Sequence, residues 1–188
     1  MTMRRITFIG AILCIVALMG SCVNNSPKKV DNSEKVAEDS IDVNDSTLYG
    51  VCGEGTAMHT LELITDDGLS HSYMINLDDS ISGVQGGLLT GDRLAVITSV
   101  EYGDTFAIKV INLTTLLGKW VSLDKNFEIK EGGSVKSVME SETRPWTSWA
   151  ICNGHLVFNS DTFDVAELGA DSMFLENRHG IYGFKRVK

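Results

Sequence analysis

Short alternating runs of apolar and polar residues fill the chain after Leu48, and turn residues separate them. Such runs, rich in Val, Ile, Leu, Thr and aromatic residues, are typical of half-buried strands. The strongest turn signal is Asn153-Gly154, which predicts a hairpin of Trp149–Cys152 with His155–Asn159. We predict an all-β protein in which a helical turn is expected only at Thr114–Gly118.

The alternation predicts two antiparallel β-barrels that pack together. Residues 48–113 form the first, small barrel, and residues 114–188 supply six or seven strands of the second. Each half would be marginal alone, because small domains bury too little apolar surface. The other predicted strands are Leu61–Thr65, Ser70–Ile75, Arg93–Val100, Phe106–Leu113, Val121–Leu123, Phe127–Lys130, Val135–Met139, Phe163–Leu168, Met173–Glu176 and Ile181–Val187.

The first 47 residues have a different pattern. Arg4 and Arg5 precede the apolar run Ile6–Met19, which is shorter than the roughly 20 residues that span a bilayer. This pattern predicts a secretory signal peptide over residues 1–21. Residues 22–47 are mostly Asn, Ser, Lys, Asp and Glu, so we expect a flexible acidic tether.

Gly20-Ser21-Cys22 resembles the lipobox of bacterial lipoproteins, although Met19 stands where those signals usually carry Leu. The resemblance implies that Cys22 becomes the lipidated mature N-terminus. It also implies a lipid-anchored protein of the Gram-negative cell envelope, with the outer membrane as the favoured location. The alternative is ordinary signal cleavage in which Cys22 has no special role.

The net charge bears on the expected partners, and the cysteine content on a possible disulfide. The formal net charge is −9, and an acidic surface repels phosphate backbones, so we expect no nucleic-acid partner. Signal removal leaves Cys52 and Cys152 in addition to Cys22. An oxidising compartment permits a disulfide between Cys52 and Cys152, but two separate thiols are the favoured interpretation.

Gly118-Lys119-Trp120 resembles the Gly-x-Trp that begins the first strand of lipocalins, and the similarity covers residues 116–188. In that family the Trp plugs one end of the barrel and a basic residue near the end of the last strand packs across it. The resemblance therefore implies contact between Trp120 and Arg186. Residues 48–113 loosely resemble an OB-type small barrel, and such pairs of barrels occur in envelope stress-sensing lipoproteins.

The candidate chemical sites are few. Trp146 and Trp149 are candidates for ligand or rim contacts, although packing is the simpler role for them. We expect no metal site at His59 and His71, because their hairpin register keeps them apart, and packing is the favoured role of the Cys152–His155 pair. Ser40 and Ser46 lie in segments that resemble the Asp-Ser/Thr-aliphatic acceptor of bacterial O-glycosylation.

These features predict binding rather than catalysis, with no cofactor. The favoured hypothesis is a lipocalin-like carrier or sensor of a small apolar ligand in the envelope. The alternative is a protein-interaction or structural module whose barrel is filled by side chains and which presents loops such as Glu140–Trp146 and Gly86–Asp92. Too few strands for a lumen would favour the module. The sequence predicts no oligomeric state.

Overall fold

A computed structural model describes residues 45–75, 83–139 and 142–187, so Cys22 and Ser40 lie outside the described residues. The helical elements are α1, Leu113–Leu116, and a 3₁₀ turn at Glu131–Gly133. The strands are β1 Leu48–Cys52, β2 Thr60–Thr65, β3 Ser70–Met74, β4 Val84–Gln85, β5 Arg93–Glu101, β6 Asp104–Asn112, β7 Gly118–Val121, β8 Asn126–Ile129, β9 Val135–Ser137, β10 Trp149–Cys152, β11 His155–Phe158, β12 Asp161–Leu168, β13 Ser172–Asn177 and β14 Gly180–Arg186.

The first six strands form a closed five-stranded barrel with one added strand. The order is β3-β2-β1-β5-β6, and a parallel pairing of Met74 with Phe106 joins β3 to β6. Strand β4 adds to β6, also in parallel. Alternation along the strands turns Leu61, Leu63 and Leu94 into the interior, where each is fully buried.

The last eight strands form a second, nearly closed barrel of consecutive antiparallel neighbours, in which β14 returns to pair with β7. The predicted all-β fold with two barrels is confirmed. Between β9 and β10 the described chain shows one isolated bridge, Ser134 with Ser148. The expected count of six or seven strands is wrong, because each of the eight apolar runs in residues 114–188 corresponds to a strand, and the three-residue β9 lies within the predicted run Val135–Met139. The predicted strand at Val121–Leu123 is displaced, since β7 ends at Val121 and Leu123 is exposed.

Each barrel has its own hydrophobic cluster, and a few residues of the first barrel pack into the cluster of the second. Tyr49, Ala95 and Ile111 belong to the first barrel, yet they pack in the hydrophobic cluster of the second. The change from one sheet to the other falls at α1, where Leu116 is fully buried. Both barrels belong to one compact unit, in agreement with their small individual cores.

The hairpin predicted at Asn153-Gly154 is confirmed. Trp149 pairs with Phe158 and Cys152 with His155, and both turn residues have the positive φ of a tight hairpin turn. A Cβ at Gly154 would lie 2.8 Å from Ile97 Cγ1 of the first barrel. Glycine is therefore required here both by the turn and by the approach of the two barrels.

Candidate functional site

Trp120 and Arg186 are in contact where the last strand of the second barrel pairs with its first. Trp120 is fully buried in β7 and donates its indole N–H to the carbonyl of Leu116, 2.9 Å away. Arg186 pairs with Trp120 in register, and its Cζ lies 4.2 Å from the centre of the indole ring. Its Nη1 also donates to the carbonyl of Leu117 at 2.7 Å. Burial lowers the pKa of Arg186 from its ordinary value.

Gly118 explains why the Gly-x-Trp pattern suits this contact. Its φ is +126°, in the region that favours glycine. A Cβ at this position would lie 2.5 Å from Nη1 of Arg186. The missing side chain therefore leaves the space in which the guanidinium reaches the indole.

The interior of the second barrel is filled by aromatic rings. Trp146 is 6% exposed and stacks on Phe158, with ring centres 4.3 Å apart and planes 9° apart. The edges of Phe127 and Phe163 meet the same indole at 5.0 and 5.7 Å, and Phe184 lies at 6.3 Å. Trp146 is thus a core residue enclosed by four phenylalanines, which is the packing role that the sequence analysis gave as the simpler one.

Polar side chains also pack against Trp146. Lys125 Nζ lies 4.1 Å from the centre of the Trp146 ring and forms an ion pair with Glu142. Ser137 donates its hydroxyl to Glu142 at 2.6 Å. Burial alone raises the pKa of Glu142, but the hydrogen bonds from Lys125 and Ser137 outweigh it and leave the pKa below its usual value.

Asn159 fixes the chain on both sides of Trp146. Its Oδ1 accepts the backbone N–H groups of Thr147 and Ser148, at 2.9 and 3.1 Å. Its Nδ2 donates to the carbonyl of Pro145 at 3.1 Å. Together these bonds position the end of the β9–β10 connection, which leads directly into β10.

A groove of about 550 Å³ lies where the two barrels meet. We call it the junction groove; its lining includes Tyr49 and Arg93 of the first barrel, Leu113 of α1 and all of β10. Gly132 and Gly133, which carry no side chains, contribute to the wall on the side of the second barrel. Trp149 is half-buried in this groove, and its indole N–H donates to the carbonyl of Lys130 at 2.7 Å.

Tyr49 ties the first barrel to the edge of β10. Its hydroxyl donates to the carbonyl of Ile151 at 2.8 Å. Burial, with the nearby Asp45 and Cys152 as smaller contributors, raises the pKa of Tyr49 to about 12. The hydroxyl therefore stays protonated at neutral pH and remains a hydrogen-bond donor.

The segment before β1 is bound to the tight turn of the second barrel. The backbone N–H and the hydroxyl of Ser46 both donate to Asn153 Oδ1 at 3.0 Å. Asp45 accepts the backbone N–H of Asn153 at 2.8 Å, and Thr47 accepts that of Gly154 at 3.4 Å. Ser46, a candidate glycosylation residue, is exposed but its hydroxyl is engaged in this contact.

Arg93 brings a positive charge to the junction groove. Its guanidinium forms an ion pair with Asp66, which raises the pKa of Arg93 and lowers that of Asp66. The Arg93 side chain is 42% exposed, so part of it is available to a partner.

A separate polar cleft of about 480 Å³ is lined by residues that include His155, Asp164 and Arg178. His155 Nδ1 lies 2.9 Å from Asp164, and Lys109 of the first barrel donates to the same carboxylate at 2.8 Å. The hydrogen bond from Lys109 is the main reason that the pKa of Asp164 lies below its usual value. The cleft thus contains an ion pair that links the two barrels.

Cys152 and His155 pair in register, as predicted, but Cys152 lines the junction groove whereas His155 lines the polar cleft. Cys52 and Cys152 are both thiols, in agreement with the favoured interpretation. Within the described ranges, no cluster of three or more His, Cys, Asp and Glu is arranged to hold a metal ion. No helix of the described part of the chain is long and apolar enough to cross a membrane.

Sequence reasoning missed Asp45, Tyr49, Arg93 and the Lys125–Glu142 pair. Tyr49 lies in a short alternating stretch, where its aromatic ring was a signal for strand packing only. Asp45 lies in a polar segment that carries no local sign of a fixed contact. No family model, curated protein or solved structure matches this chain.

Proposed function

We propose that this protein is a lipid-anchored envelope lipoprotein whose two barrels act as a non-enzymatic protein-interaction module. The signal-like residues 1–21 and Cys22 support the anchor, and the acidic residues 22–47 suit a tether. The anchor is expected to hold the module close to a membrane of a Gram-negative envelope, where a partner protein meets it.

The filled interior of the second barrel is the observation that carries this proposal. An eight-stranded barrel has room either for side chains or for one small ligand. Here Trp146 and the phenylalanines around it take that room. A partner is therefore expected on the outside of the protein.

The junction groove is the surface that best suits a partner. Trp, Tyr and Arg carry much of the energy of protein interfaces, and Trp149, Tyr49 and Arg93 all line this groove. Its size is within the range of binding pockets. We infer that an envelope protein inserts an apolar side chain beside Trp149, while Arg93 contacts a carbonyl or carboxylate at the rim.

The strand orders agree with the resemblances stated above. Eight consecutive antiparallel strands closed by β7 and β14 are the arrangement that similarity to lipocalins implies. The five-stranded order with one parallel closure supports the loose resemblance of residues 48–113 to an OB-type barrel. These likenesses support a binding role rather than a particular ligand.

Site-directed photo-crosslinking in the native cell tests the proposal. A photoreactive residue replaces Ala150, which is exposed and lines the junction groove, in the full-length anchored protein. We expect a light-dependent adduct of one defined mass, which is lost when Trp149→Ala is added. The partner identified in the adduct should bind the purified protein and should lose at least about tenfold in affinity to Trp149→Ala, the cost typical of a hot-spot residue.

Leu123 provides the matched control, because it is 99% exposed in the β7–β8 turn outside the groove. The same photoreactive residue at this position should give no adduct of that mass. Equal adducts from both positions, or none from Ala150, would refute the junction groove as the interaction surface.

A small apolar ligand in the second barrel is the second candidate function. The observation that favours it is the set of eight strands, more than the six or seven that the sequence analysis expected. Native mass spectrometry of the protein from its own envelope should then show a bound molecule in addition to the lipid. A mass equal to protein plus anchor would contradict this candidate.

A further inference from the structure

The turn between β5 and β6 carries a residue that its backbone conformation does not favour. Tyr102 and Gly103 form this turn, with φ of +53° and +95°. The other non-glycine residues with positive φ in the described chain are Asn153 and Asn159, and asparagine accepts this conformation readily. A tyrosine in the same conformation is strained, and it stands where the turn itself favours asparagine.

The Tyr102 side chain has no contact that offsets this strain. It is fully exposed, at 106%, and within the described residues it forms no hydrogen bond and no ring contact. Val100, two residues earlier, is also 71% exposed. Strain that the surrounding structure does not explain is typical of functional sites.

Two carboxylates flank the same turn. Glu101 and Asp104 are directly opposite each other across the hairpin, and both are exposed. Like charges at opposite positions of a strand pair repel each other. Neither carboxylate forms an ion pair with a lysine, arginine or histidine of the described chain. A basic group from outside the protein would therefore relieve this repulsion.

We propose that residues 100–104, the hairpin tip, dock on a partner protein that has an apolar hollow with arginine or lysine at its rim. Tyr102 enters the hollow, where a tyrosine ring buries a large apolar area with little loss of rotamer freedom. Glu101 and Asp104 select the basic rim by charge. The same carboxylates disfavour a membrane as the partner, because anionic lipid headgroups repel them.

The hairpin tip lies away from the junction groove, so this contact goes beyond the proposed function. Arg93 lines the groove at the start of β5, and Tyr102 follows it by nine residues. At about 3.3 Å per residue, the two residues are roughly 25–30 Å apart along the hairpin. The two surfaces can therefore be tested separately.

Urea unfolding of the full-length protein in detergent tests whether Tyr102 has a structural role. Tyr102→Asn should raise the urea concentration at the midpoint by at least roughly 0.2 M, because asparagine relieves the strain. Leu123→Asn replaces another exposed apolar residue in a hairpin turn, and it should leave the midpoint unchanged. A midpoint that is unchanged or lower for Tyr102→Asn would remove the argument from strain and overturn the proposal.

Photo-crosslinking in the native cell tests the contact itself. Benzoyl-phenylalanine at position 102 of the anchored protein should give a light-dependent adduct with one protein. Adding Glu101→Gln and Asp104→Asn together should lower the yield at least about fivefold, because the attraction to a basic rim is then lost. Glu54→Gln with Asp124→Asn is the matched control, since both residues are exposed and lie outside the hairpin, and it should leave the yield unchanged.

The captured protein should also bind the purified full-length protein, with an affinity that falls as the salt concentration rises from about 50 to 300 mM. Tyr102→Asn should weaken this binding at least about tenfold, whereas Leu123→Asn should leave it unchanged. A phospholipid adduct, no adduct, or an equal yield from the two double variants would overturn the proposal. None of these measurements involves the junction groove, so this failure is distinguishable from failure of the proposed function.

Discussion

Arg186 covers one face of the Trp120 indole and at the same time donates hydrogen bonds to the carbonyls of Thr115, Leu117 and Ala170. One guanidinium therefore joins the last strand, the first strand of the barrel and the end of α1. The guanidinium attracts the ring electrostatically, and it forms directional hydrogen bonds with the three carbonyls.

Replacement of Arg186 by Met should destabilise the protein by about 2–4 kcal/mol, because it removes a cation–π contact and leaves three carbonyls without this donor. Urea unfolding measures the change. Lys185→Met is the matched control on the same strand, where the exposed side chain should cost at most about 0.5 kcal/mol. An equal loss of unfolding free energy in the two variants would show that the contact of Arg186 with Trp120 contributes nothing to stability.

Gly154→Ala should disturb the junction of the barrels. The positive φ alone costs about 1–2 kcal/mol for a residue with a side chain. The new Cβ would also press on Ile97, so overpacking adds about 1–3 kcal/mol. Gly68→Ala is the control, because Gly68 has a similar φ of +82° and nothing within 4 Å of an added Cβ. A smaller loss of unfolding free energy for Gly154→Ala than for Gly68→Ala would contradict the close packing of Gly154 against Ile97.

Tyr49→Phe should cost about 1 kcal/mol at neutral pH through the lost hydrogen bond to Ile151. The folded protein holds the Tyr49 proton more tightly than the unfolded chain, since the pKa rises from 10.0 to about 12. The contribution of the hydroxyl is therefore complete below pH 10 and is lost as the pH rises toward 12. Unfolding of both proteins at pH 8 and pH 11 should show a smaller difference at pH 11. A difference that is constant or grows with pH would refute this assignment.

Cys22→Ala should release the protein from the membrane fraction, because the proposed site of lipid attachment is then absent. Fractionation of native cells with immunoblotting measures the change. Cys152→Ala, which alters a thiol of the junction groove, should stay with the membranes. If both variants fractionate as the wild type does, Cys22 is not the anchor.

Local patterns in the sequence identified the elements whose conformation depends on neighbouring residues in the chain. The Asn153-Gly154 turn needs two residues that accept positive φ, and this requirement is visible in two letters. The contact between Trp120 and Arg186 could be stated in advance only because the lipocalin resemblance pairs those two positions; their spacing along the chain contains no such information.

The filling of the second barrel was not predictable in the same way. Pro145-Trp146-Thr147 shows no strand pattern, and the four phenylalanines around Trp146 come from separate strands. Which of three tryptophans fills a barrel depends on long-range packing rather than on neighbours in sequence. The junction groove has the same origin, since Tyr49 and Trp149 both line it although they lie a hundred residues apart in the chain.

The bonds between Asp45–Thr47 and the Asn153-Gly154 turn have a mechanical consequence. Tension that arrives along the chain from its N-terminal side meets these bonds before it reaches β1. The load passes into the β10–β11 hairpin, while β1 remains shielded from being peeled off β2 and β5 one residue pair at a time. The five-stranded barrel comes first in the chain, yet a force applied from the N-terminal side acts first on the second barrel.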